Sequence, residues 1–246
     1  MRIRRWELSK LQGEIVPTNI RLTDTWLSFG LAFVGGYGDA AGFVLAKTFT
    51  GHVTGNLVLG AIAVAAHDWR AMLRHLSAIV TFLIGVVLSV VLARPLRARP
   101  SWPLLPTIMG IEVILLVSAT LALASGMASR VEIFVIFVSL ALGLQNGAFR
   151  RVGGISVHTT YLTGMITSLL STEAEKYISS LPPALVEAPD PRVGLLYRIW
   201  IAFVFGAGIG AAMALHFKDF GMLGAALLLI VLMVYAPKSS LYGRIT

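Results

Sequence analysis

Long runs of apolar residues, broken only by short polar links, constrain this chain more than any other feature. Eight such stretches can be drawn: Trp26–Ala46, Thr48–Ala66, Leu73–Ala93, Leu104–Ser125, Val131–Phe149, Ile155–Leu170, Leu195–Leu215 and Phe220–Ala236. A helix that spans a bilayer needs about 20 apolar residues, with about 17 as the lower bound. The first, third, fourth and seventh meet this length comfortably, whereas the second, sixth and eighth are marginal. Only 13% of residues are charged and the mean hydropathy is +0.81. A soluble domain carries roughly 25% charged residues, because its surface must face water. The expectation is an all-α, polytopic membrane protein, with the lipid bilayer as its first partner.

The basic excess fits that reading. A net charge of +8 could suggest nucleic acid, but the Lys and Arg residues fall between apolar runs rather than along one polar face. Nucleic acid is therefore not an expected partner. Basic links set membrane orientation. If all eight stretches cross, thirteen Lys and Arg lie on the N-terminal side and seven opposite. If the second and sixth dip in and return, the chain crosses six times and the division becomes fifteen against five. Both place the two termini in the cytoplasm, and the second count is the more lopsided. Trp26, Trp102, Tyr197, Trp200 and Tyr235 lie near the ends of runs, where interfacial anchors belong.

Residues 1–25 are polar and basic and read as a cytoplasmic tail: they are too long for a signal-peptide leader and lack a small-residue cleavage site. Residues 26–236 form one membrane domain, and 237–246 a second short tail. The stretch 171–193 holds four acidic residues and four prolines and reads as a surface loop. The absence of cysteine excludes disulfides, thiolate metal sites and a cysteine nucleophile.

Two halves, 26–125 and 131–236, read as a repeat. The first stretch ends in Gly36-Tyr37-Gly38-Asp39-Ala40-Ala41-Gly42-Phe43 and the fifth in Gly143-Leu144-Gln145-Asn146-Gly147-Ala148-Phe149. The second then carries Thr50-Gly51-His52-Val53-Thr54-Gly55, and the sixth Thr159-Thr160-Tyr161-Leu162-Thr163-Gly164. Both read Thr-x-x-x-Thr-Gly, which sets two threonines one helical turn apart on one face. Three crossings per half would invert one half relative to the other, a transporter plan.

These same runs, GYGDAAGF with TGHVTGN and GLQNGAFR with the later TYLTG, resemble the YoaK family, a bacterial group of multi-pass membrane proteins of unknown function. The resemblance extends from Trp26 to Ala236 and implies a helical inner-membrane protein of six spans, without implying an activity, substrate or cofactor. The polar link Arg150-Arg151-Val152-Gly153-Gly154 departs from it.

Asp39 is the sharpest candidate. An acid inside an apolar run costs about 2.5–3.5 kcal/mol on insertion scales, so it should face a cavity or a partner. One reading makes it a cation or proton site; the other makes it a structural carboxylate that caps a helix or pairs with Lys47 or His52. Asn146 stands at the matching place without a charge. Thr50, Thr54, Asn56, Gln145, Thr159 and Thr163 add hydroxyl and amide groups, so these eight residues form the expected substrate-binding set. The alternative for them is helix-to-helix hydrogen bonding. Gly38/Gly42, Gly51/Gly55 and Gly206/Gly210 have the spacing of close helix packing, which also admits a homo-oligomer. Glu112 is a second acid inside a run, either protonated or paired. Arg150 and Arg151 suit orientation at the interface better than recognition of an anion.

His52 and His158 do not align, and too few ligands accompany them for zinc; no metal or cofactor is expected. Signatures of metalloproteases, serine hydrolases, P-loops and dinucleotide sites are absent from the sequence, so an enzyme is not expected. The leading reading is a transporter or channel for a small solute or ion, its path lined by Asp39, Asn146 and the two Thr-Gly elements. The alternative is a non-transporting scaffold or sensor subunit that binds another membrane protein.

Overall fold

The computed structural model describes residues 22–97, 104–148, 151–152, 155–156, 166–167, 170–171, 174 and 192–235. Seven helices carry the described chain: α1 (Leu22–Ala46), α2 (Val53–Ala65), α3 (Trp69–Arg97), α4 (Leu104–Ala124), α5 (Arg130–Ala148), α6 (Arg192–Phe217) and α7 (Leu223–Tyr235). Five of them, α1, α3, α4, α5 and α6, are long and apolar enough to cross a membrane. They are apolar on nearly all sides, as helices facing both a protein core and lipid must be. Outward residues such as Leu83, Val87, Ile114, Phe205 and Ile209 are exposed, while Phe134, Ile108, Met109, Leu142 and Leu229 fill the core.

Helix directions follow from which residues face each other. The backbone of Phe33 lies against Gly206 and that of Tyr37 against Gly210, so α1 and α6 run parallel. In the same way Phe82 lies against Gly143 and Ser89 against Gly147, so α3 and α5 run parallel. A Cβ at any of these glycines would collide with the partner helix, and its absence permits backbone-to-backbone approach. Gly38 faces Leu142, and Gln145 donates to the Leu31 carbonyl (2.8 Å), so α1 and α5 are antiparallel. Gly30 faces Leu232 and Gly224 faces Tyr37, which makes α7 antiparallel to α1. Residues 125–129 fold α4 back onto α5. Helices α1, α4 and α6 thus point one way, and α3, α5 and α7 the other.

Two expected segments are corrected. The second does not begin at Thr48: residues 47–52 are non-helical, and α2 starts at Val53 with 13 residues. At 1.5 Å per residue it is about 20 Å long, short of the roughly 30 Å hydrocarbon core. It also starts and finishes toward one end of the bundle. Its first residues lie beside Asp39, Asn56 in its first turn meets His75 of α3 (3.3 Å), and the neighbouring Arg74 guanidinium reaches the Ala46 carbonyl that closes α1 (3.2 Å). The non-helical link 47–52 thus turns back alongside α1 before α2 begins. The sixth was expected as a helix from Ile155, but Ile155–Ser156 pairs antiparallel with Arg151–Val152 as a two-residue strand. The intervening sequence, Gly153-Gly154, is a two-residue hairpin signal. Most of the rest of that segment lies outside the described residues.

Candidate functional site

The site is built where α1 stops. Lys47 takes a left-handed conformation (φ 55°), and its N–H still bonds the Phe43 carbonyl (2.9 Å). That conformation reverses the chain after a helix. The following residues descend alongside α1 instead of continuing outward. Gly42 leaves room for this, since a Cβ there would meet the Thr50 side chain.

Asp39 anchors the descending loop. Its Oδ1 accepts from the backbone N–H of Thr50 (3.0 Å) and of Gly51 (2.5 Å), and its Oδ2 meets Nδ1 of His52. The Thr50 hydroxyl donates to the Gly38 carbonyl (3.0 Å). The Asn56 side chain binds both backbone groups of Phe49, donating to its carbonyl (2.6 Å) and accepting from its N–H (3.1 Å). His75 of α3 contacts the same amide oxygen through Nδ1 (3.3 Å). Irregular backbone at membrane depth survives only where protein or water satisfies it, and here Asp39 and Asn56 do so. His52 is also the N-cap residue of α2, which brings the positive end of that helix toward the carboxylate.

Aromatic rings close the sides. Phe43 and Phe49 stack at 4.7 Å, and the His52 ring lies 5.6 Å from Phe49 and 5.9 Å from Phe203 of α6. The Asp39 side chain is 8% exposed and that of His52 31% exposed, so the imidazole connects a buried carboxylate with the surroundings. Chemically this is an acid–base pair able to hold or hand on a proton. Among the described residues no group of three or more His, Cys, Asp or Glu side chains is placed to hold a metal ion.

Six of the eight expected residues are among those described. Asp39, Thr50 and Asn56 share this site, but Thr50 and Asn56 pin the loop through their hydrogen bonds. Thr54 is exposed on the first turn of α2. Gln145 is buried and ties α5 to α1, while Asn146 donates to the Leu142 carbonyl of its own helix (3.0 Å). Thr159 and Thr163 lie outside the described residues. The chain itself offsets part of the desolvation of Asp39, through two N–H groups and His52. Of the two partners weighed from sequence, His52 is the one used. His75, Arg74 and the rings of Phe49 and Phe203 had no sequence signal that tied them to Asp39.

Comparison with known proteins adds one family and one relative. Residues 27–235 match the family described as "Protein of unknown function (DUF1275)". The chain is 29% identical over 143 residues to the UPF0700 transmembrane protein YoaK of Bacillus subtilis (strain 168); the match covers 57% of this chain and 63% of that protein. No solved structure matches.

Proposed function

We propose that this chain, which belongs to the DUF1275 family, is a transporter or channel for a small solute or ion in a bacterial inner membrane. The observation that carries the reading is the Asp39–His52 pair, an ionisable couple held at a chain reversal inside a multi-pass membrane protein. Acids in such segments mark ion and proton pathways more often than they serve packing alone. A broken helix whose N-terminus approaches the charged group is also how transporters build midplane sites. The reading is non-enzymatic: the pair relays charge and no bond is made or broken in a solute.

The internal repeat belongs to the same proposal. One spacing relates Phe33 to Leu140, Gly36 to Gly143 and Asp39 to Asn146; a second relates Phe203 to Phe82 and Gly206 to Gly85. The close contacts obey both spacings at once: Gly36 lies on Phe203 as Gly143 lies on Phe82, and Gly206 on Phe33 as Gly85 on Leu140. Helices α1, α3 and α4 have the opposite sense to α5, α6 and α7 in turn. This supports two inverted halves, and the basic links then put both termini in the cytoplasm.

The scaffold alternative draws less support. Such a subunit would need glycine-rich faces free for its partner, and Gly206 and Gly210 are covered by α1 of the same chain. The test is reconstitution into liposomes on a solid support, with currents recorded for protons, sodium, potassium and a metabolite library. The expected result is a current from the wild type that Asp39→Asn abolishes while its melting temperature changes little. No current with any probe, or equal currents from both proteins, would reject the reading.

A further inference from the structure

A second acid, far less served than Asp39, lies inside α4. Glu112 is 0% exposed, and both of its carboxylate oxygens lack a hydrogen-bond partner. One turn away on its own helix stand Ile108, Met109, Leu115 and Leu116, all apolar and all in the packed core. The helices around it carry no counter-charge at its depth among the described residues. On α5 the ionisable groups are Arg130 and Glu132, in the first turn; the 3₁₀ turn Lys218–Phe220 has Lys218 and Asp219 near the same end, with Asp219 3.9 Å from Arg130. Helix α7 has only Tyr235, its last residue, and on α3 the groups nearest the level of Phe82 are Arg74 and His75, at least about 10 Å along the axis.

An isolated ionised carboxylate in such surroundings costs far more than a fold can absorb, so the group neutralises. A metal cation would neutralise it only with several further oxygen ligands, and among the described residues no group of three His, Cys, Asp or Glu side chains is gathered to hold one. A proton needs one oxygen. The α4–α5 hairpin also sets Glu112 within about 5 Å in depth of Ser139 and Gln145, whose Oγ and Oε1 are likewise buried without partners. Both are buried acceptors on the helix packed against α4, and Gln145 is already bonded to α1.

We propose that Glu112 is a proton-binding site within the bundle: a neutral carboxylic acid whose proton exchanges with solvent while the bundle stays folded. It is independent of the transport reading, because the proton is detected directly and no solute need be known.

The experiment is infrared spectroscopy of the full chain in liposomes, in H₂O and after transfer to D₂O. The expected spectrum has the carbonyl band of a protonated carboxyl, lost in Glu112→Gln, retained in Asp39→Asn, and shifted by D₂O while the protein stays folded. Should Glu112→Gln fail to fold, labelling of the wild type with dicyclohexylcarbodiimide, which adds to neutral acids in apolar sites, replaces it. Mass spectrometry should then find the adduct on Glu112 and not on Asp39. A wild type without the band, a band that D₂O never shifts, or no adduct on Glu112 would each overturn the proposal.

Discussion

Asp39 and Glu112 are both carboxyl groups buried in helices that suit a membrane, and they meet the same energetic problem in opposite ways. Asp39 is surrounded by donors: two backbone N–H groups, the His52 imidazole and the N-terminal end of α2. Glu112 has none. A charge with good partners can remain a charge, at the cost of fixing every partner in place. A carboxyl without partners is stable only as the neutral acid, and that leaves the surrounding geometry free. The first acid therefore organises structure, holding an irregular loop against α1, whereas the second organises none.

Removing each acid should break this contrast or sharpen it. Asp39→Ala is expected to have the largest effect, about 3–5 kcal/mol, because it leaves His52 unpaired and two loop N–H groups without acceptors. Chemical unfolding in a mild detergent measures it, and a loss below about 1 kcal/mol would mean that the loop stands without its anchor. His52→Ala should come next, at roughly 1.5–3 kcal/mol, since Asp39 keeps its backbone donors but loses a charge-assisted bond. The same unfolding series ranks the two. If His52→Ala proves the more damaging, the ring's packing on Phe49 and Phe203 outweighs its bond to the carboxylate.

Asn56→Ala should cost less again, about 1–2 kcal/mol, because it frees the N–H and carbonyl of Phe49 without disturbing a charge. Proteolysis within Lys47–His52 offers a local readout, and cleavage should accelerate there before elsewhere. A variant cut no faster than wild type would show that Asp39 alone holds the loop.

What the sequence reveals follows the same division. Apolar length gave the helices to within a few residues, because α1, α3, α4, α5 and α6 are written as uninterrupted runs. The reversal between α1 and α2 had no local sequence signal; only the charge count that favoured six crossings hinted at it. Composition does not distinguish Thr48–His52 from a helical turn; the reversal comes from Lys47 and from bonds to Asp39, more than ten positions away in the chain. Asp39 stood out because an acid in an apolar run is conspicuous. That Thr50 and Asn56 would spend their polar groups on the loop, and not on a solute, depends on a fold-back that no local pattern encodes. Glu112 was equally conspicuous, but its solitude is a property of three neighbouring helices.

The smallest expected effect is the most discriminating. Glu112→Gln removes the proton-binding oxygen yet keeps nearly the same volume and a neutral polar head. If the wild-type group is a neutral acid without partners, this exchange should alter stability by less than about 1 kcal/mol. Glu112→Leu should be neutral or stabilising, since an apolar side chain of similar volume suits a site walled by Met109 and Leu116, and replacing buried ionisable groups in this way often stabilises. The same pair of changes at Asp39 would follow the opposite order, with Asp39→Leu far worse than Asp39→Asn, because only the amide can still accept from Thr50 and Gly51. Melting temperatures of the four variants, compared within one detergent, settle the contrast. A strongly destabilised Glu112→Leu would mean that the carboxyl makes bonds essential to the fold, and the two acids would then be alike in kind.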